Sequence, residues 1–123
     1  MNLRVVFYPE GDVWLAHCLE TDLIGDGPTK ESALESLKKT TEIQLEFALN
    51  DDDPANENLR NLFTPATSRV IALYESGGDV AQMGVEATRT REYSSGRARP
   101  EIRAVFYSRW LRNKPGYRLL TGR

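Results

Sequence analysis

What most constrains this chain is a change of hydrophobic period between Leu3 and Leu49, from the alternation of β-strands to the repeat of one long helix. Leu3-Arg4-Val5-Val6-Phe7-Tyr8 is β-branched and aromatic. Pro9-Glu10-Gly11-Asp12 then supplies a residue of fixed φ and one that tolerates positive φ, so a hairpin is expected. Past the turn, Val13, Leu15, His17 and Leu19 share one face of a strand, and Trp14, Ala16 and Cys18 share the other. Both faces are largely apolar, which marks a central strand. Leu23-Ile24 forms a third short extended piece, ended by Gly25-Asp26-Gly27-Pro28.

Thr29 then reads as an N-cap, with Glu31 and Glu35 placed to complement the positive end of the helix dipole. Leu34, Leu37, Thr41, Leu45 and Ala48 recur at i, i+3, i+4 spacing, flanked by Ala33, Ile43 and Leu49. Lys30, Glu31, Glu35, Lys38, Glu42 and Glu46 lie mainly opposite, with Glu35 to Lys39 and Lys38 to Glu42 as i, i+4 pairs. The helix should stop near Asn50, because Asp51, Asp52 and Asp53 oppose its negative end and Pro54 follows. The expected architecture is α+β: a three-stranded antiparallel meander with one long helix packed on it, then a short helix and an extra strand.

Three runs in this half carry a resemblance: Val13-Trp14-Leu15-Ala16-His17-Cys18-Leu19-Glu20, Asp22-Leu23-Ile24-Gly25-Asp26-Gly27 and Thr29-Lys30-Glu31-Ser32-Ala33-Leu34. Together they resemble the HicB antitoxin-like family, with its two strands, small-residue turn and helix-opening T-x-E-E-A-L. The likeness continues weakly through Asn61 to Ala66 and Asp79 to Ala81, as far as Arg91-Glu92-Tyr93. It implies a HicB-like domain over residues 1–93 with a partial, degenerate ribonuclease-H-like fold and no nuclease activity. It also implies a role in neutralising a small RNA-cleaving toxin of the HicA type by covering its active surface. Many such proteins carry a DNA-binding part after the core, and no helix-turn-helix or ribbon-helix-helix pattern is found here.

The charge of −2 conceals a division: residues 1–53 hold four basic and twelve acidic side chains, whereas residues 87–123 hold ten basic and two acidic. An acidic folded part suits a basic partner such as an RNA-binding toxin, and its blander explanation is a solvated helix face. On the acidic side Trp14, Glu20, Asp22 and Asp26 are the candidate partner contacts, with core packing as the competing role for Trp14.

Between the halves, 51–58 reads as a polar connection, and Leu59, Leu62 and Phe63 as a short apolar turn. Thr64-Pro65 looks like a cap and first helical residue, so a second helix is expected from Ala66 to Ser76, with a strand as competitor at Val70-Ile71. Alternation from Met83 to Tyr93 predicts a fourth strand polar enough to lie at a sheet edge, a route to a homodimer or higher oligomer.

Residues 94–123 read as a basic, aromatic-containing tail opened by the linker Ser94 to Pro100. Arg97, Arg99, Arg103, Arg109, Trp110 and Arg112 are its candidate nucleic-acid contacts, since cations neutralise phosphates and rings stack on bases. A solvated tail, or one packed on its own domain, competes with that use. Ile102-Arg103-Ala104-Val105-Phe106-Tyr107 matches Leu3 to Tyr8 at four of six positions, which, if structural, marks another strand able to pair with the sheet.

Catalysis finds little support in the pattern. Asp12, Glu20, Asp22 and Asp26 are the carboxylates a residual two-metal nuclease would need, yet none is strand-centred opposite a helix-borne partner. His17 is the sole histidine, and its strand neighbour Cys18 points to the opposite face, so the two cannot act as base and nucleophile. Gly25-Asp26-Gly27 lacks the wording of a phosphate loop. No enzyme activity, cofactor or metal is expected. Cys18 alone cannot form an internal disulfide and reads as a small buried apolar residue. With no long apolar run and no signal-like opening, a cytoplasmic protein without a membrane segment is expected.

Overall fold

The computed structural model describes residues 1–50, 57–94 and 97–110, and the side chains among them other than those of 50 and 87–108. β1 (Asn2–Glu10), β2 (Val13–Cys18) and β3 (Ile24–Gly27) form the expected meander. α1 (Lys30–Asn50) follows, then α2 (Glu57–Leu62), α3 (Ser68–Glu75) and the long strands β4 (Asp79–Ser94) and β5 (Arg97–Trp110). All pairings are antiparallel in one five-stranded sheet of order β3-β2-β1-β4-β5, an α+β architecture.

The sheet is covered on both sides because its strands are apolar on both sides. Leu3, Val5, Phe7, Ala16, Cys18, Ala81 and Met83 pack in one cluster with Ala33, Leu34, Leu37, Leu45 and Ala48 of α1. The alternate residues Val6, Leu19 and Val80 meet Ala66 and Val70 at α3. The buried stripe of α1 is therefore the one its periodicity predicts. Thr29 does cap α1: its Oγ1 accepts from the Ser32 backbone N at 3.0 Å, while Ser32 Oγ accepts from the Thr29 backbone N at 3.0 Å. This reciprocal pair is a capping box with serine in place of Glu or Gln.

Four expectations need correction. Gly25 and Gly27 lie within β3 rather than ending it, because α1 crosses there so closely that only a missing Cβ allows it: one added at Gly25 would lie 2.2 Å from the Leu37 backbone N. α3 begins at Ser68 rather than Ala66, since Ala66 is buried with its backbone N donating to Leu19 O at 2.8 Å. β4 is interior, between β1 and β5, only from Asp79 to Val85, and from Glu86 onward it has β5 as its one partner among the described residues, so the expected edge holds for that part alone. The linker expected from Ser94 to Pro100 is largely strand: Ser94 pairs with Arg97 and Arg91 with Pro100, so residues 97–110 extend the sheet. The division expected after 93 falls at this hairpin. β5 contains the repeated six residues, and Trp110 at its end stacks on Phe7, ring centroids 4.7 Å apart.

β1 reaches only to Asn2 opposite Gly84, with Met1 and Val85 adding two backbone bonds. Beyond Val85, β4 and β5 pair only with each other among the described residues, as a two-stranded ribbon.

Candidate functional site

The acidic residues expected at the β2–β3 end do not converge. Glu20, at the end of β2, is occupied internally: one carboxylate oxygen accepts from the Arg4 backbone N and the other from Arg4 Nε, both at 2.7 Å. That bond, with the nearby carboxylate charge, raises the Arg4 pKa against a smaller lowering by burial. Asp22 is exposed but also engaged, its Oδ1 2.6 Å from His17 Nε2, on backbone held at φ 60°. Asp26 is exposed on β3, where its backbone N donates to Ser36 Oγ at 3.3 Å. Among the described residues no group of three or more His, Cys, Asp or Glu side chains is placed to hold a metal ion.

Trp14 is half-buried against the α1 cluster, and Lys30 Nζ lies 4.6 Å from its ring centroid while also pairing with Asp79 at the start of β4. Trp14 is thus part packing element and part platform for a lysine. The other Asp79 oxygen is buried without a hydrogen-bond partner.

On the α3 side, Tyr8, His17 and Asp22 form a chain. The Tyr8 hydroxyl is 2.9 Å from His17 Nδ1, and the Nε2 of His17 meets Asp22. The simplest tautomer has Tyr8 donating to Nδ1 and Nε2–H donating to Asp22, so the buried imidazole is satisfied at both nitrogens. Burial, the largest influence, pushes the Tyr8 phenol pKa up. Cys18 faces the opposite cluster, fully buried, and burial likewise pushes its thiol up, away from reactivity.

The basic candidates divide. Arg97, Arg99 and Arg103 are on β5 opposite Ser94, Glu92 and Thr88. Arg109 is exposed, Trp110 is half-buried on Phe7, and Arg112 lies outside the described residues.

Sequence reasoning missed a surface on α1. Ile43, expected to flank the core, is 64 % exposed, and Phe47 is 63 % exposed. Phe47 borders a cavity of about 210 Å³ between α1, α2 and the β2–β3 loop, lined also by Leu23, Ala48 and Leu62. The signal was present: Ile43 and Phe47 are one turn apart and off the buried stripe. A second groove of about 330 Å³ lies between the end of β1 and α3, lined by Tyr8, Arg69 and Leu73 among others. Among the described residues, no helix is long and apolar enough to cross a membrane.

Comparison with known proteins finds no matching family model, no matching curated protein and no matching solved structure. The α+β sheet and its two surfaces are therefore the basis for any functional statement.

Proposed function

We propose that this chain is a non-catalytic, HicB-like antitoxin that binds a small basic RNA-cleaving toxin of the HicA type and hides its active surface. The observation that carries the proposal is the β1-β2-β3-α1 unit, because the residues that carry the family resemblance are those that build it. Gly25 admits the helix, Thr29 caps it and Ala33-Leu34 dock it. The acidic balance of residues 1–53 complements a partner that must itself attract phosphates. A ribonuclease-H-like ancestry, a cytoplasmic setting and homo-oligomer formation belong to the same proposal. β5 supports the last of these, as a 14-residue strand at the sheet edge among the described residues. The test is to purify the tagged chain from its native cells with ribonuclease and deoxyribonuclease and identify by mass spectrometry what stays bound. A small basic protein at fixed stoichiometry is expected; its absence defeats the proposal.

A second use is favoured by the ribbon beyond Val85. Its sequence carries Arg89, Arg91, Arg97, Arg99 and Arg103, and a two-stranded antiparallel ribbon is a shape that the major groove of DNA admits. Filter binding of duplex DNA across a salt series tests it. Retention that falls steeply with salt, and more weakly after Arg97→Ala/Arg99→Ala, supports this use; salt-independent or absent retention refutes it.

A further inference from the structure

We infer that the ribbon beyond Val85 enters the DNA major groove with the face that holds Arg89 and Arg91 toward the base edges, and that these two arginines read guanine; this rests on the DNA use proposed above. β4 pairs with β5 without interruption from Ala81 opposite Trp110 to Ser94 opposite Arg97, so strand alternation fixes which residues share a face. A ribbon lying in a groove turns one face to the bases and the other to solvent. The two faces here differ in charge.

Glu86, Glu92 and Glu101 share one face with Arg97, Arg99 and Arg103, and Glu92 stands directly opposite Arg99. The charges of that face cancel, and its carboxylates would oppose the phosphates flanking a groove. The other face continues from Val85, on the α1 side of the sheet, and holds Arg89 and Arg91 with no acidic residue among the described ribbon positions. Their register partners are Ile102 and Pro100, and Ala87 and Ala104 share the face with them. Such residues let a backbone come close to base edges and suit thymine methyl groups, while arginine carries the paired donors that match guanine O6 and N7. Two residues apart on one strand, Arg89 and Arg91 are separated by about 7 Å, or two base steps. From Glu86 to Ser94 the ribbon is roughly 30 Å long, more than twice the groove width of about 12 Å, so it follows the groove over several base pairs. A basic protein is repelled by this face, and the major groove of duplex RNA is too narrow to admit a ribbon. Charge and shape together select duplex DNA.

The experiment is retention of a pool of randomised DNA duplexes by the full chain, with the retained fraction sequenced and the enriched duplex then titrated. Three double variants are compared: Arg89→Ala/Arg91→Ala, Arg89→Lys/Arg91→Lys and Arg97→Ala/Arg99→Ala. The parent chain should enrich guanine at fixed positions. The first variant should lose that enrichment and bind the enriched duplex at least about tenfold more weakly, as for the loss of two bidentate contacts. The lysine variant keeps the charge and so keeps salt-dependent retention, but should lose the guanine preference. Arg97→Ala/Arg99→Ala should keep the preference, lower the salt slope and weaken binding by less than about threefold, as for residues that act through charge alone. Retention without guanine enrichment, enrichment that survives Arg89→Ala/Arg91→Ala, or enrichment lost with Arg97→Ala/Arg99→Ala overturns the inference and leaves the DNA use standing. Duplex RNA retained equally well, with the same dependence on Arg89 and Arg91, also overturns it. Arginine substitutions that change only the sedimentation of the chain by itself show a copy–copy interface and overturn it too. A parent chain that retains no DNA overturns both.

Discussion

Replacing Gly25 by alanine is the sharpest test of how the sheet and the long helix fit together. A Cβ there would stand 2.2 Å from the Leu37 backbone N, 2.4 Å from the Ala33 carbonyl oxygen and 2.7 Å from the Leu37 Cα. Ordinary contact begins near 3.4 Å, and all three neighbours are helix backbone, which cannot rotate aside. α1 must therefore retreat from β3 by roughly 1 Å, and a gap of that size forfeits roughly a quarter to a half of the dispersion well for the atoms facing it. Those atoms belong to Ala33, Leu34 and Leu37, all buried at the crossing. The loss is expected at about 3 kcal/mol, the upper end for overpacking, and roughly 10 °C in Tm for a domain of this size. Urea denaturation followed by circular dichroism measures it. A loss below about 1 kcal/mol would show that α1 does not sit on Gly25 and would refute the packing described above.

Thr29→Ala removes the cap acceptor for the Ser32 N–H and should cost about 1 kcal/mol in the same assay; no change would mean that water satisfies the helix start equally well. Tyr8→Phe should cost about 1 kcal/mol, because it leaves the buried His17 Nδ1 without a donor, and a neutral result would remove the Tyr8–His17–Asp22 chain from the list of stabilising contacts. Cys18 carries a pH prediction. Burial raises its folded thiol pKa above the ordinary 9.0, so its contribution is complete below the unfolded value and is lost as pH rises through the folded one. Stability should fall above about pH 9, and Cys18→Ala should reduce that fall, leaving the part due to Tyr8, whose phenol burial also raises. An unchanged alkaline slope in the variant would assign the effect elsewhere.

Local period and local chemistry made the first half of the fold legible. The alternation in β2 gave its two buried faces, the Leu34-Leu37-Thr41-Leu45-Ala48 stripe gave the contact face of α1, and Thr29 gave its start. Misplaced features were decided by long-range contacts that no window contains. Gly25 looked like a strand terminator because glycine ends strands, whereas here it admits a helix arriving from eight residues onward. Thr64-Pro65 looked like a helix start until Leu19 took the Ala66 N–H. The polar alternation of β4 marked an edge, which it is beyond Val85, but nothing in its own residues shows that its first part lies between β1 and a second arginine-rich strand. The repeat of β1 within β5 was the one available hint. The surroundings of the site candidates were equally out of local reach: Arg4 and His17 engage Glu20 and Asp22 across the sheet and turn. Ile43 was counted with the core because one apolar residue beside a stripe reads as its border, and its exposure emerges only once the crossing of α1 over β3 is known.

The measurement that addresses the central claim most directly is inhibition of RNA cleavage. The co-purifying basic protein is incubated with a labelled single-stranded RNA, and this chain is titrated in. Cleavage that falls linearly to zero at a fixed molar ratio, with the chain inactive on the RNA by itself, is the result expected of an occluding antitoxin. Cleavage that persists when the chain is in several-fold excess over its bound partner, or a partner that never cleaves RNA, would contradict it.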